Sequence, residues 1–317
     1  MRYLVTGGAG FIGSNTVEEL VRRGHSVVVF DDLSTGKEEN LVEVGKEIIL
    51  IKASITDLDT LQKAMQHADF VLHLAARTSV PKSVKHPLET NKINVNGTLN
   101  VLIAARDNKV KRVVFAASSS AYGETPTLPK TETMQPAPIS PYGVSKYVGE
   151  LYAGAFGRCY DLENVSLRYF NVFGPRQDPN SPYSGVLARF ATAFLEETEP
   201  VVYGDGEQTR DFTYVENAVR ANLLACEAPN VSGRVFNIGT GQRTSLNRTL
   251  ELLRQISGKN VTAKYEPARE GDIRDSQADI RGAREWLCYE PTVMFQEGLE
   301  RTFAWYRDHH RVKAVQK

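Results

Sequence analysis

A glycine-rich turn near the start of the chain constrains the fold more than any other part of the sequence. Residues 5–13 read Val-Thr-Gly-Gly-Ala-Gly-Phe-Ile-Gly and join an apolar run, Tyr3–Thr6, to an amphipathic stretch, Ser14–Arg23. Glycines at this spacing allow a tight turn, a close backbone approach to a pyrophosphate and close packing of a helix on a strand. The next helix presents free N–H groups and the positive end of its dipole to phosphates. The sequence therefore predicts a dinucleotide site that includes Gly7, Gly10, Phe11, Ile12 and Gly13.

Apolar runs alternate with amphipathic stretches over the first 240 residues or so. Because most of these runs are continuous, they are typical of parallel strands covered on both faces. The alternation favours an α/β fold with a doubly wound parallel sheet of the Rossmann type. The predicted strands are Tyr3–Thr6, Ser26–Asp31, Ile48–Lys52, Phe70–Leu74, Arg112–Ala117, Val165–Tyr169 and Val235–Ile238, and the predicted helices include Ser14–Arg23, Thr98–Arg106 and Tyr142–Tyr152.

After Asn171 the pattern changes to turns and short elements, with Gly-Pro, Asp-Pro and Ser-Pro pairs. We predict a helix over Leu246–Ile256, a strand over Val261–Tyr265 and helices that end near Arg307. We therefore divide the chain into a dinucleotide-binding domain, residues 1–171 completed by 212–241, and a smaller α/β lobe built from insertions and the C-terminus, residues 172–211 and 242–317.

Composition argues against several classes of protein. The 38 basic and 38 acidic residues leave no net charge to attract nucleic acid or an anionic membrane. No apolar run approaches the roughly 18 residues of a membrane helix, and no signal peptide is recognisable. Three widely spaced cysteines suit neither a disulfide framework nor a metal site and fit a reducing cytosol. We expect a cytoplasmic protein with no nucleic-acid partner, no membrane partner and no metal.

Two adjacent carboxylates, Asp31 and Asp32, end the second predicted strand at the usual distance of about 20 residues from the glycine turn. A carboxylate there accepts hydrogen bonds from the adenosine ribose and repels a 2′-phosphate, so NAD is favoured over NADP. For Asp32 a solvated strand end remains the alternative. The ribose contact is expected to continue through Leu33, Ser34, Thr35 and Gly36.

Tyr142 and Lys146 stand four residues apart on a predicted helix and so share one of its faces. A neighbouring ammonium stabilises a phenolate and lowers the pKa of the tyrosine, which makes Tyr142 a candidate general base for a sugar hydroxyl. Ser118 to Ser120 end the fifth predicted strand, at the sheet edge where ligands of open α/β sheets bind. A hydroxyl there can relay a hydrogen bond between Tyr142 and a substrate. Serines that merely terminate the strand are the alternative.

With these motifs the chain resembles the extended short-chain dehydrogenase/reductase family, and within it the NAD-dependent nucleotide-sugar 4-epimerases. The resemblance extends from Thr6 to Asp279 and implies that Ser118, Tyr142 and Lys146 are catalytic, with Ser119 and Ser120 facing the sugar. Relatives carry Gly-Asp-Ile on the third strand where this chain has Ala53-Ser54-Ile55, so the adenine contact falls to an uncharged serine. The further cofactor contacts implied are Ser54, Ile55, Leu74, Ala75, Ala76 and Tyr169, with Asn94 near the active site.

The same resemblance assigns contacts with the nucleotide sugar, most of them in the smaller lobe. It makes Asn171 a diphosphate-sugar ligand, Arg210 and Arg269 a pair of diphosphate ligands, and Asp272 a ribose ligand. Two guanidinium groups suit a pyrophosphate because each forms bidentate, charge-assisted hydrogen bonds. Surface ion pairing is the alternative for both arginines. The remaining expected contacts with the nucleotide sugar are Val186, Leu187, Val202, Tyr203 and Ser276.

The reaction expected from this resemblance is 4-epimerisation of a UDP-hexose through a transient 4-keto sugar. Relatives that dehydrate or decarboxylate carry an acidic residue directly after the serine, where this chain has Ser119, Ser120 and Ala121. Ser276 leaves room for a 2-acetamido group, which favours UDP-N-acetylglucosamine beside UDP-glucose. A UDP-uronic acid 4-epimerase, with Arg77 or Arg274 binding the carboxylate, and a non-catalytic NAD-sensing regulator remain alternatives. We also expect a homodimer, joined through helices around 94–106 and 145–158.

Overall fold

Seven parallel strands form one central sheet in the computed structural model, which describes residues 1–178, 185–268 and 273–315, with side chains up to His309. These strands are β1 (Arg2–Thr6), β2 (Ser26–Asp31), β3 (Ile48–Lys52), β4 (Phe70–His73), β5 (Arg112–Ser118), β6 (Asn164–Tyr169) and β11 (Arg234–Ile238). Their order across the sheet is β3-β2-β1-β4-β5-β6-β11. The chain therefore starts in the middle of the sheet, and the strand order reverses between β1 and β4. Ligands of such sheets bind in the crevice at the carboxyl ends of these two strands.

Helices cover both faces of this sheet, as the continuous apolar strands predict. The helices of the described chain are α1 (Phe11–Arg22), α2 (Leu58–Ala64), α3 (Val80–Lys85), α4 (Pro87–Asn91), α5 (Gly97–Asp107), α6 (Pro141–Tyr160), α7 (Val186–Glu196), α8 (Val215–Glu227), α9 (Leu246–Ser257), α10 (Arg281–Leu287) and α11 (Phe295–Val315), with 3₁₀ turns at Glu38–Val44 and Ser119–Tyr122 and a π turn at Lys92–Asn96. On one face of the sheet, Val5 and Val29 pack against α1 and α8; on the other, Leu4 and Val28 pack against α2, α5 and α6.

Short strand pairs build the region beside the sheet. They join β7 (Val172–Phe173) to β10 (Thr213–Tyr214), β8 (Val201–Tyr203) to β13 (Lys264–Glu266), and β9 (Thr209–Arg210) to β12 (Thr244–Ser245). The buried carboxylate of Asp211 ties three of its loops together. It accepts hydrogen bonds from the backbone N–H groups of Thr240, Gly241 and Ala278 and from the Thr240 hydroxyl, at 2.7–3.0 Å.

Several predicted boundaries are wrong. α6 ends at Tyr160 rather than Tyr152, because buried Ala153 and Phe156 pack on the sheet and outweigh two helix-weakening glycines. α1 begins at Phe11 rather than Ser14, and α11 ends at Val315 rather than near Arg307. The short predicted strand at 261–265 is found at 264–266. Within the described ranges, none of the helices combines the length and apolar character that crossing a bilayer requires.

Candidate active site

A cavity of about 1860 Å³ runs along the carboxyl ends of the central strands, at the point where the strand order reverses. Its walls bring the glycine turn together with the Tyr142–Lys146 pair, which lie far apart in the sequence. The predicted site residues that line it are Gly7, Gly10, Phe11, Ile12, Gly13, Asp31, Asp32, Leu33, Ser34, Thr35, Gly36, Ile55, Leu74, Ala75, Ala76, Ser118, Ser119, Ser120, Tyr142, Lys146, Tyr169 and Asn171.

The glycine turn has no room for side chains. A Cβ at Gly13 would lie 2.0 Å from the Gly7 carbonyl oxygen, and one at Gly7, where φ is +70°, would lie 2.7 Å from the Ala75 backbone nitrogen. Gly10 caps α1 without a side-chain hydrogen bond, so the first N–H groups of the helix have no capping side chain. An uncapped helix N-terminus at the cavity wall suits the phosphates of a dinucleotide.

Asp31 is buried at the end of β2, where it fixes the loops around the cavity. Its carboxylate accepts hydrogen bonds from the backbone N–H groups of Ala9 (2.9 Å) and Leu33 (2.8 Å). Burial raises the pKa of Asp31, and these two hydrogen bonds oppose that rise. Asp32 is exposed and accepts from the Ser34 N–H at 3.0 Å, as the solvated alternative implies. A buried carboxylate beside the turn fits a ribose diol and disfavours a 2′-phosphate.

Ser54 is absent from the described walls of the cavity, which at this point consist of Ala53 and Ile55. The Ser54 hydroxyl lies 3.0 Å from that of Thr56 and so participates in a local turn. The wall that could face an adenine is therefore largely apolar.

Helix α6 carries the proposed general base into the cavity. The hydroxyl of Ser140 caps the helix at the Gly143 N–H (3.1 Å), and Ser83 accepts a hydrogen bond from the Tyr142 N–H (3.1 Å). Lys146 is buried, and its ammonium donates to the Ala116 carbonyl at 2.7 Å. Burial lowers the pKa of Lys146 to about 7.

The predicted lowering of the Tyr142 pKa is not what this structure gives. Burial raises the pKa of Tyr142, and a hydrogen bond with Ser118 opposes that rise. The physical reason is that the phenol loses solvent on folding, while the Lys146 ammonium is directed to a backbone carbonyl rather than to the phenol. Ser118 and Tyr142 both line the cavity, and the relay between them stays a prediction.

The sequence analysis missed Glu150 and Arg168 among the residues that support this helix, whereas it had placed Asn94 near the active site. Glu150 forms a bidentate ion pair with Arg168 (2.9 and 2.7 Å), and both side chains are almost fully buried. Asn94, in the π turn, accepts from the Arg77 N–H (2.7 Å) and donates to the Ser145 hydroxyl (2.9 Å). The only signal for Glu150 is its spacing of four residues from Lys146, and its partner is distant in sequence.

The predicted sugar-side residues are less well gathered than the cofactor-side residues. Asn171 lines the cavity, but Val186, Leu187, Val202, Tyr203, Arg210 and Ser276 do not belong to its described walls. Leu187 and Val202 are each 1% exposed in the hydrophobic core, because each lies on the inner face of its element. Arg269 and Asp272 lie outside the described residues.

The Arg210 guanidinium donates to the backbone carbonyls of Thr209 and Arg274, both at 2.9 Å. The backbone N–H of Ser276 donates to the Thr209 carbonyl at 3.1 Å, and Ser276 itself is buried. These contacts join β9 to the segment after residue 273. The Arg210 side chain, expected to hold a diphosphate, therefore belongs to this loop cluster and is not part of the described cavity wall.

The two arginines considered for a uronate carboxylate have different surroundings. Arg77 lines the cavity and pairs with Glu89 at 3.2 Å. Arg274 pairs with Asp205 at 3.0 Å, and its side chain is 64% exposed outside the cavity. No three His, Cys, Asp or Glu side chains among the described residues come together as a metal site.

Comparison with known proteins places this geometry among sugar-nucleotide enzymes. A sequence profile of the NAD dependent epimerase/dehydratase family matches residues 3–239. A putative UDP-glucose 4-epimerase of Methanocaldococcus jannaschii is 39% identical over 310 residues, which cover 97% of this chain and 99% of the relative.

Similar solved structures bind several UDP-sugars. The UDP-glucose 4-epimerase of Thermotoga maritima with UDP-glucose is 42% identical with a TM-score of 0.94, covering 98% of this chain and 100% of that one. The UDP-N-acetylglucosamine 4-epimerase of Methanobrevibacter ruminantium, in complex with UDP-N-acetylmuramic acid, is 41% identical with a TM-score of 0.93, covering 97% and 98%.

Two further neighbours contain NAD. The UDP-glucose 4-epimerase of Thermus thermophilus with NAD is 37% identical, with a TM-score of 0.89 and coverage of 97% and 99%. The UDP-glucuronic acid 4-epimerase of Bacillus cereus, with UDP-glucuronic acid and NAD, is 34% identical, with a TM-score of 0.90 and coverage of 98% and 100%.

Proposed function

The chain belongs to the NAD-dependent epimerase/dehydratase family, and we propose from this that it interconverts UDP-N-acetylglucosamine with UDP-N-acetylgalactosamine and UDP-glucose with UDP-galactose. At the coarser level it is an isomerase, an NAD-dependent UDP-sugar 4-epimerase. One observation carries the proposal: Ser118, Tyr142 and Lys146 line the same cavity as the glycine turn and Asp31.

In this proposal Tyr142 removes the proton from the sugar 4-hydroxyl and later returns it to the keto oxygen. NAD, when bound, supplies a hydride acceptor and a positive charge that favours the phenolate. Ser118 shares a hydrogen bond with Tyr142 and holds the reacting oxygen. Lys146 is buried and adds positive charge while it is protonated. Its hydrogen bond to the Ala116 carbonyl also ties α6 to β5. The glycine turn and Asp31 hold the cofactor against these groups.

Epimerisation is favoured over elimination by the three residues after Ser118. A dehydratase or decarboxylase of this family needs an acidic residue there, but Ser119 and Ser120 line the cavity and Ala121 is buried. With no acid at these positions to expel a hydroxyl, the 4-keto sugar can only take the hydride back. Return of the hydride to the other face gives the 4-epimer.

We assign the nucleotide sugar to the smaller lobe, residues 172–211 and 242–317, and the cofactor to residues 1–171 with 212–241. The substrate's diphosphate is proposed to meet Asn171 and the loop cluster of Arg210, with Arg269 and Asp272. Ser276, a small residue beside this cluster, leaves space for a 2-acetamido group. Incubation with a panel of UDP-sugars, followed by chromatography of the products, tests the assignment directly. Conversion of UDP-glucose but not UDP-N-acetylglucosamine would remove the N-acetyl part.

The cofactor is proposed to stay bound through many turnovers, because an epimerase regains its own hydride and needs no exchange. We expect the purified protein to carry NAD, mostly oxidised, which denaturation releases into the supernatant. Turnover that depends strictly on added NAD, with none released on denaturation, would contradict this.

A UDP-uronic acid 4-epimerase is the second candidate, and one observation favours it. Arg77 lies on the wall of the cavity that holds Tyr142. Its guanidinium can bind a C6 carboxylate if the ion pair with Glu89 opens. The substrate panel includes UDP-glucuronic acid for this reason. A non-catalytic NAD-sensing regulator is disfavoured because Ser118, Tyr142 and Lys146 are all present at the cavity.

We further propose a homodimer through the outer face of α6 and the neighbouring α5. Val144 and Leu151 on α6 are 45% and 53% exposed, which fits an apolar contact between subunits. Val101 and Leu102, within the predicted 94–106 contact, are buried against the chain's own sheet and do not contribute. Light scattering at micromolar concentration tests the dimer, and a monomer would reject it.

A further inference from the structure

The segment Gly174–Asp178, which we call the strap, runs along the rim of the cavity. It comes directly after β7, and its residues Arg176, Gln177 and Asp178 line the same cavity as the glycine turn. The strap enters from the side of β6, whereas the glycine turn belongs to β1, so the two reach the cavity from different parts of the chain.

One end of the strap is bound to α1, the helix that begins at the glycine turn. The Arg176 guanidinium forms an ion pair with Glu18, and the Arg176 side chain is only 15% exposed. Beside this pair, the Asn15 side-chain amide donates to the Pro175 carbonyl at 3.2 Å. A charged pair partly shielded from water is stronger than one at the open surface.

The other end is bound to the loop that follows β2. Asp178 pairs with Lys37 at 3.5 Å, and the Lys37 backbone N–H donates to the Ala9 carbonyl inside the glycine turn. Between the two ends, the hydroxyl of Tyr306 on α11 donates to the Gln177 carbonyl. The strap is therefore tied to α1 at one end, to the loop after β2 at the other, and to α11 between them.

The backbone of the strap is held in an uncommon conformation. Arg176 has a φ of +69°, a region that residues with a Cβ rarely adopt. Its Nη1 atom is buried and finds no partner within the described part of the chain. Such features persist only where surrounding contacts fix the backbone, and the pair with Glu18 is the contact that engages this side chain.

We propose that the Glu18–Arg176 and Lys37–Asp178 ion pairs hold the strap across the cofactor cleft and set the rate at which NAD leaves the enzyme. This inference rests on the proposed function, in which NAD stays bound between turnovers. Arg176, Gln177 and Asp178 line the same cavity as Gly10–Gly13, so in this inference the dinucleotide leaves past the glycine turn when these ties open. Loss of a tie raises the population of the open strap and therefore the rate of release.

The test measures NAD release from the NAD-loaded full chain. Protein is mixed with a large excess of isotopically labelled NAD, and the unlabelled NAD that remains bound is followed by mass spectrometry after rapid gel filtration. We expect roughly tenfold faster release from Glu18→Gln or Arg176→Gln and a smaller increase, roughly threefold, from Lys37→Gln. Salt should speed release from the wild type toward the variant rates, because it screens both pairs.

Three comparisons separate this inference from a general loss of stability. The double variant Glu18→Gln with Arg176→Gln should release NAD no faster than either single variant, and the swap Glu18→Arg with Arg176→Glu should restore slow release. Glu19→Gln is the matched control, since Glu19 stands next on α1 and pairs with exposed Arg22 and Arg23. If Arg176→Gln does not fold, Glu18→Gln still tests the tie, because the Glu18 side chain is 47% exposed.

Suppose that the wild type holds NAD and turns over, and that Glu18→Gln releases NAD at the wild-type rate with an unchanged melting temperature. That result would reject the inference about the strap and leave the proposed function intact. Additive effects in the double variant, without recovery in the swap, overturn the inference equally. A wild-type protein that neither holds NAD nor epimerises any UDP-sugar contradicts the proposed function as well, so the two failures are distinguishable.

Discussion

The two ends of the cavity are assembled in different ways. At the cofactor end, many wall residues lie at or directly after the ends of central strands, as Asp31 ends β2 and Ser118 ends β5, and α6 adds Tyr142 and Lys146. At the sugar end, the neighbouring loops come from three separated segments that meet at the buried Asp211. A sheet edge aligns its side chains by strand order, whereas the second region relies on a few long-range polar contacts. We therefore expect mutations at the cofactor end to impair the chemical step and cofactor binding. Mutations at the sugar end should instead weaken substrate affinity.

The largest effect is expected at the cofactor end, from Tyr142→Phe. Removal of the phenolic hydroxyl leaves the ring in place but removes the proposed base, so turnover should fall by roughly 10²–10⁴-fold. The measurement is kcat for the preferred UDP-sugar, together with NAD content and melting temperature, which should not change. Tyr147→Phe is the matched control on the same helix, since Tyr147 is half-buried and does not line the cavity. Near-normal turnover in Tyr142→Phe would show that the base is misassigned.

The next largest effect is expected from Asp211→Asn, because the Asp211 carboxylate joins the loops at the sugar end, which we call the second region, and so acts as its hub. The amide presents two hydrogens to a pocket of N–H donors, so we expect the free energy of unfolding to fall by roughly 2 to 4 kcal/mol. The remaining folded enzyme should show a higher KM for the UDP-sugar and unchanged NAD content, because the glycine turn is not involved. Denaturant unfolding and steady-state kinetics measure the two effects.

Asp205→Asn serves as the control for the hub. Asp205 lies in the same region, but its side chain is 54% exposed and its pair with Arg274 is at the surface, so little stability should be lost. If Asp211→Asn released NAD and left KM unchanged, the two ends would be coupled and the contrast between them would be wrong.

Sequence reasoning succeeded where the site is local to a strand and the turn after it. The glycine turn, Asp31 and the Tyr142–Lys146 pair could be placed because each depends on spacing within about 30 residues and on sheet geometry. The family match added Ser118, which the structure brings within hydrogen-bonding reach of Tyr142. The fold class was inferred from continuous apolar strands and is confirmed by the seven-stranded parallel sheet.

It failed where the answer depends on packing. Val202 was expected to contact the nucleotide sugar, yet the alternation of side chains along β8 directs it into the core. Glu150 and Arg168 carry charges that composition assigns to the surface, and only their mutual pairing makes burial tolerable. Spacing predicted a lowered pKa for Tyr142, whereas burial, which sequence spacing does not reveal, raises it.

A third, smaller effect is expected at the sugar end from Ser276→Tyr. Ser276 is buried beside Thr209, so a bulky ring must occupy space that we assign to the 2-acetamido group. Overpacking of this kind costs about 1–3 kcal/mol, which is roughly a ten- to hundredfold loss in rate when the strain falls on the transition state. The expected result is a loss of that order in kcat/KM for UDP-N-acetylglucosamine with UDP-glucose largely spared.

The ratio of the two kcat/KM values decides the Ser276 prediction. Ser276→Ala is the matched variant, since it keeps the space and should keep the ratio. Equal losses for both sugars in Ser276→Tyr would show that this position does not select the N-acetyl group. NAD content should be unchanged in either variant if the two ends are independent.

The last effect, confined to acid pH, concerns stability at the cofactor end, through His73 on β4. The ring lies between the hydroxyls of Thr6 (2.7 Å) and Thr98 (2.9 Å), fully buried beneath the glycine turn. Burial, with a further contribution from the Lys146 ammonium, lowers the pKa of His73 from 6.5 to about 3. Below the ordinary histidine pKa the unfolded chain therefore binds a proton that the folded chain refuses, and stability is lost as the pH falls.

We expect this histidine to remove roughly 2 kcal/mol of unfolding free energy as the pH falls from about 7.5 to about 5. His73→Gln, which keeps a polar side chain between the threonines but does not titrate, should lose less stability over that range, whatever its stability at neutral pH. Denaturant unfolding at a series of pH values gives the two slopes, and the carboxylates common to both proteins cancel in the difference. His67→Asn, at an exposed histidine, is the control and should keep the wild-type slope. Parallel slopes for wild type and His73→Gln would mean that the acid sensitivity of this protein does not come from His73.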